Sequence, residues 1–143
     1  MIYTLDTNLW SDALRQPAEL ERLKGFLSWA LPQTTLASVV AAELLAGART
    51  EVARRVLEAD VLDAFERRGR LRAPSVAAWR RVGVLLGELG ARRGGAGWQN
   101  DLLLACMARE HGWVLITRDA DFGGLRKHVR GLQIQGPYPP RAG

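Results

Sequence analysis

The segment MIYTLDTNLW runs apolar almost from its first residue and then meets Asp6, Thr7 and Asn8 in succession. A strand that ends on a carboxylate constrains the fold more than any other feature of this chain. A charge beside a core must either find a partner or sit where strand ends open onto a crevice. Four runs have strand character: IYTL, QTTLAS, WVLIT and GLQI. Between them lie helical patterns. PAELERLKGFLSWAL spaces Leu20, Leu23, Leu27 and Leu31 along one face after Pro17, a residue favoured at the first helical position. VVAAELLAG follows Ser38, a candidate N-cap, and stops at Gly47. Two longer helices are expected at roughly 49–68 and 75–93, parted by Gly69 and Pro74. RRGGAGW reads as a Gly-rich turn, and NDLLLACMAREHG as a helix closing at Gly112.

Strands that alternate with helices, each strand too apolar to leave a face in water, imply a parallel sheet covered by helices. The fold class is therefore α/β. The 143 residues suit one domain over 1–135, with GPYPPRAG at 136–143 as a Pro-rich C-terminal tail expected to be poorly ordered. A lone Cys106 cannot form an intrachain disulfide, which suits a reducing compartment, and its expected role is that of a small buried hydrophobe. No apolar run approaches the roughly 18 to 20 residues of a membrane span, and no basic leader precedes Asp6, so a cytoplasmic, membrane-free protein is expected. The formal charge is +5, with the basic excess concentrated in residues 49–93. Such a field favours a polyanionic partner, although Arg-rich helices are also simply well solvated.

Within this frame the acids converge. In parallel α/β sheets the reactive crevice lies beyond the C-terminal strand ends. Asp6 directly follows IYTL, and Asp119 and Asp121 follow WVLIT. Glu43 lies about one and a half turns into the helix after QTTLAS, close enough to reach back. Asp101 stands near the start of the helix that feeds WVLIT, and that helix runs against its strand, so its N-terminal part belongs to the same edge. Glu43 and Asp101 sit in apolar helices with no basic residue one turn away. Two uncompensated carboxylates about 4 Å apart repel by roughly 4 kcal/mol at an effective dielectric near 20. A divalent cation removes that cost. Zinc does not fit, because His111, His128 and Cys106 have no ligand spacing. All-oxygen ligation points to Mg²⁺ or Mn²⁺, ions that bridge carboxylates to phosphate oxygens. An acidic site in a basic protein suits a nuclease acting on a phosphodiester.

Each acid also has a purely structural reading. Asp6 can cap a helix at TNLW, Asp101 can complement a helix dipole, and Asp119 or Asp121 can form an Asx turn. Thr7, Asn8, Ser38 and Thr117 can orient acids or water, and are equally common as caps and turn formers. A phosphohydrolase of the haloacid-dehalogenase type would use Asp6 as nucleophile, but needs a second Asp where this chain has Asn8. A catalytically silent module that binds RNA or a protein partner is a third reading, against which the concentration of acids argues. RRGGAGWQ lacks the Lys-Ser/Thr ending of a phosphate-binding loop.

MIYTLDTNLW, LASVVAAELLAG with its single Glu43, and NDLLLACMAREHGWVLITRDADF, in that order and spacing, resemble PIN-domain proteins of the VapC-type toxin group. The resemblance spans nearly the whole chain. It implies a three-layer sandwich with a short parallel sheet of four or five strands flanked by helices. It further implies a Mg²⁺- or Mn²⁺-dependent endoribonuclease with an RNA substrate, usually a homodimer, inhibited by a cognate antitoxin protein. Carried onto this sequence, Asp6 and Asp101 become the main metal ligands, Glu43 completes the acidic cluster, and Asp119 is the fourth acid. TRDADF departs from the commoner family spacing, which leaves the division between Asp119 and Asp121 open. Among the arginines of the middle helices and Arg118, the sequence singles out no substrate contact.

Overall fold

A computed structural model describes residues 1–90 and 95–141. Five strands form one parallel sheet: β1 (Tyr3–Leu5), β2 (Thr34–Ala37), β3 (Leu71–Arg72), β4 (Val114–Ile116) and β5 (Gln133–Gln135), in the order β3-β2-β1-β4-β5. All side chains of β1, β2 and β4 are buried, as a sheet covered on both faces requires. Two of their buried threonines are satisfied within the sheet, Thr4 Oγ1 donating to the Thr35 carbonyl and Thr35 Oγ1 to the Tyr3 carbonyl, while Thr34 Oγ1 donates to the Ala30 carbonyl. The α/β sandwich expected from the sequence is the fold observed.

The helices are α1 (Thr7–Arg15), α2 (Pro17–Ala30), α3 (Ser38–Gly47), α4 (Glu51–Leu57), α5 (Asp63–Arg67), α6 (Val76–Leu89), α7 (Gly95–His111) and α8 (Asp121–Leu125). A π-helical segment, Glu58–Leu62, joins α4 to α5, so the stretch expected as one long helix is continuous with a widened turn inside it. Thr50 and Ser75 cap α4 and α6 by accepting from the Ala53 and Ala78 amides at 3.1 and 3.0 Å. The core is densest around β1, β2, β4 and α7, where Leu5, Leu36, Leu102, Met107, Leu115 and Ile116 are sealed from solvent.

Four expectations need correction. The strand β3 was not anticipated: two residues carry no periodicity, and only the register Leu36↔Leu71 makes them a strand. The expected Gly-rich turn is in part helix, since α7 begins at Gly95; the remainder of RRGGAGW lies outside the described residues. Ser38 is the first residue of α3 rather than its N-cap, which is Ala37. The tail is not loose over its described part. Tyr138 stacks on Phe26 with centroids 5.2 Å apart, and Arg22 lies over the Tyr138 ring with its Nη2 donating to the Pro137 carbonyl at 3.3 Å.

Candidate active site

Register builds the site. Leu5 of β1 pairs with Ile116 of β4, so Asp6 and Thr117 leave the sheet side by side. The Asp6 amide donates to the Ile116 carbonyl at 3.0 Å, and Thr117 Oγ1 donates to Asp6 Oδ2 at 2.9 Å. This is also where the topology reverses, since β1 is flanked by β2 on one side and β4 on the other. Asp6 occupies the N-cap position of α1 but its side chain makes no capping hydrogen bond. It is 5 % exposed, and its carboxyl is pushed above the ordinary range by burial. The Thr117 hydroxyl and the Thr7 amide oppose that shift, while Asp119 and Glu43 reinforce it.

The other acids gather around this point. Thr7 Oγ1 donates to Glu43 Oε1 at 2.8 Å, tying the start of α1 to the sixth residue of α3. Asp101 lies six residues inside α7 rather than at its start, because the helix begins earlier than expected. Its pKa is raised from 3.8 to about 7 by burial first, and then by Asp6, Glu43, Asp119 and Asp121 in that order. Asp119 does two things. Its amide donates to Thr117 Oγ1 and its Oδ1 accepts from the Asp121 amide, both at 2.9 Å, which makes the turn expected as the structural alternative. Its charge also acts on both Asp6 and Asp101. Asp121 is exposed at the head of α8 and enters only as the weakest influence on Asp101. Asn8 is exposed, and neither it nor Ser38 makes a side-chain hydrogen bond to any of these acids.

None of the five acids forms an ion pair among the described residues. Hydroxyls meet Asp6 and Glu43, and the Asp121 amide meets Asp119. As they stand, no three of the described His, Cys, Asp and Glu side chains are close enough to hold a metal ion directly. The donor set still fits a hard cation that keeps several waters and takes one or two carboxylates directly. The oxygens are all of one chemical kind, and Asp6 and Asp101 are raised by burial first and by the neighbouring acids after it.

Sequence reasoning missed the acids that hold this edge from outside. Arg118 lies between Thr117 and Asp119, and its guanidinium forks across two helices. Nη1 donates to Asp12 Oδ2 at 2.5 Å, and Nη2 donates to Glu19 Oε2. Arg118, open as a substrate contact on sequence grounds, is thus already engaged. No local signal pointed to Asp12 or Glu19, which lie 106 and 99 residues away in the chain.

This arrangement defines a class of protein, an α/β domain with an acidic cluster at its switch point, and comparison places the chain within it. Residues 3–127 match the PIN domain family, and the chain belongs to that family. The resemblance drawn from its three segments is borne out in solved structures similar to it. The VapBC2 structure from Rickettsia felis, bound to a DNA fragment from its promoter, shares 25% identity with a TM-score of 0.63, covering 95% of this chain and 98% of that one. VapBC-1 from nontypeable Haemophilus influenzae shares 25% identity with a TM-score of 0.65, over 95% and 98%. FitAcB from Neisseria gonorrhoeae has the same fold, with a TM-score of 0.66 at 21% identity over 93% and 96%. Comparison with curated proteins found no match.

Proposed function

We propose that this protein is a metal-dependent endoribonuclease, the toxin of a toxin–antitoxin pair, which hydrolyses RNA phosphodiester bonds at the acidic edge of its sheet. The observation that carries this reading is the convergence of Asp6, Glu43, Asp101 and Asp119, without an ion pair among the described residues, in a chain of net charge +5. Asp6 and Asp101 would hold Mg²⁺ or Mn²⁺, with Glu43 and Asp119 completing the cluster and Asp121 at its margin. Once bound, the ion would supply the Lewis acidity that activates water and offsets charge on the phosphate. The chain's own residues do the rest. Thr117 fixes the rotamer of Asp6, and Thr7 fixes that of Glu43. An ionised carboxylate of the cluster accepts the proton of the attacking water. Attack by water, not by the 2′-hydroxyl, leaves a 5′-phosphate and a 3′-hydroxyl.

The partner reading rests on the relatives, which are toxin–antitoxin complexes. An apolar groove of about 480 Å³ between α1, α3 and α4, lined by Leu14, Leu44, Val56 and Leu57, begins at Glu43. It suits the apolar face of an antitoxin helix. The exposed Val76, Trp79 and Val84 of α6 offer a surface for a second copy of the chain.

The test is cleavage of a labelled RNA by purified protein. Wild type is expected to cut with Mg²⁺ or Mn²⁺, to stop with chelator and to resume on adding back the metal. Asp6→Asn and Asp101→Asn are each expected to lose at least about a hundredfold in rate while keeping wild-type circular dichroism. Chelator-resistant cleavage, or full activity in Asp6→Asn, would overturn the assignment.

A further inference from the structure

A second cluster of like charge lies well away from the acids. Between α6, α7 and the turn at 127–130 is a cleft of about 520 Å³ whose rim carries Arg81, Arg109, Lys127 and Arg130. None of these four cations forms an ion pair among the described residues. Two acids also line the cleft. The Ser75 hydroxyl donates its one proton to the Glu110 carboxylate, whose oxygens stand 2.6 and 2.8 Å away, and Glu110 lies 3.6 Å from His111, while Glu88 is exposed in the last turn of α6. Neither forms an ion pair with the four cations, which outnumber them. The floor is apolar, made by Ala78, Leu85 and Val129.

The cleft is held in shape by backbone contacts. Arg81 Nη2 donates to the His128 carbonyl at 3.1 Å, and Arg109 Nε to the Arg130 carbonyl at 2.6 Å. Gly131, at φ +84°, lets the chain pass against Arg109, since a Cβ there would stand 2.5 Å from Nε. Each guanidinium is therefore fixed by one bond and keeps its other N–H donors for a ligand. The logic that calls for a cation at the acidic edge calls here for an anion. Arg109 lies eight residues beyond Asp101 on α7, about 12 Å along the helix axis, so a ligand in this cleft is not at the reacting bond.

We propose that this cleft is a second nucleic-acid contact, which takes the phosphodiester backbone of single-stranded RNA at a distance from the bond that is cut. Naming RNA rests on the nuclease reading above; the anion chemistry does not. A flexible single strand can place an unstacked nucleotide over an apolar floor with its phosphates at a cationic rim, which a rigid duplex cannot do. Lys127 and Arg130 are the informative positions, because their side chains hold nothing else in place.

The experiment measures fluorescence anisotropy of a labelled 20-nucleotide single-stranded RNA with the full chain in EDTA, so that no cleavage intervenes. Lys127→Gln/Arg130→Gln is expected to bind about tenfold more weakly at low salt. Its slope of log affinity against log salt should be shallower by about 1.4, or 0.7 for each lost phosphate contact on a single strand. Its melting temperature and its elution on size exclusion should match wild type. The single variant Lys127→Gln should show roughly half the change in slope. An affinity within twofold of wild type overturns the inference, as does a loss confined to a duplex DNA of equal length, a loss confined to antitoxin binding, or a change in oligomeric state. Cleavage by wild type with unchanged binding by the variant defeats this inference alone. Absence of both cleavage and RNA binding in wild type defeats the nuclease reading with it.

Discussion

Asp101 is the residue whose chemistry the site alters most. An unfolded Asp titrates near 3.8, while Asp101 in the folded, metal-free chain titrates near 7 because it is desolvated and faces four other acids. Between those values the folded chain keeps a proton that the unfolded chain has released. Stability from this source is complete below about pH 3.8 and is lost as pH rises through 7. Burial raises Asp6 as well, so it adds with the same sign. In EDTA the melting temperature is therefore expected to fall across pH 4 to 7. Asp101→Asn, which cannot ionise, should flatten that fall and melt above wild type at pH 7. Thermal denaturation over a pH series checks this, and an identical pH dependence in Asp101→Asn would refute the cause assigned here. Asp6 and Asp119 could be read from the sequence because each closely follows the strand that positions it, and Glu43 and Asp101 because each is the single acid of an apolar helical run. The hydroxyls were less legible. Thr7 and Thr117 took up Glu43 and Asp6, whereas Asn8 and Ser38, equally plausible by type, bond to none of the acids.

Among elements, the connection from β4 to α8 has to place Asp119 while remaining short. Thr117 holds it from inside through Asp6, and Arg118 holds it from outside by bridging α1 and α2. Partly exposed ion pairs contribute little to stability, about 1 kcal/mol or less. Misplacing a catalytic group by about 1 Å can still cost up to a hundredfold in rate. Arg118→Met is thus expected to unfold within a degree or two of wild type yet lose about tenfold in kcat with KM little changed. Steady-state cleavage kinetics beside a melting curve separate this from a merely structural role, for which the two losses would track each other. Arg118→Lys, which can reach one carboxylate but cannot fork, should fall between. Elements were legible where periodicity ran long enough to show. Leu71–Arg72 is too short for any pattern, and the glycines before Trp98 read as a turn although each costs a helix only about 1 kcal/mol relative to Ala. Burial of Trp98 against the core outweighs that cost.

Across the whole molecule, the last described residues connect back to the acidic edge. Tyr138 lies between the Phe26 ring and the Arg22 guanidinium, Arg22 pairs with Glu19 at 3.4 Å, and Glu19 also receives Arg118 beside Asp119. The tail reads as poorly ordered in sequence because Pro and Gly dominate it, and a lone Tyr gives no sign of the ring stack it will join. Phe26 and Trp29 also pack edge-on against Tyr3 of β1, so Tyr138 closes one side of an aromatic cluster on the central strand. A chain truncated after Gln135 is expected to lose about 1 to 3 kcal/mol, the scale of burying one aromatic side chain with its ring contacts. It should also lose part of the activity that Arg118→Met loses, since Arg22 then has no tail carbonyl to hold and Glu19 is less well fixed. Urea denaturation and cleavage assays on the truncated chain, on Tyr138→Ala and on Tyr138→Phe separate the two effects. Tyr138→Phe should keep both stability and activity, because the hydroxyl is buried without a hydrogen-bond partner among the described residues. If the truncated chain matches wild type in both measurements, residues 136–143 contribute nothing to the domain and the line of contacts from Tyr138 to Arg118 transmits nothing to the site.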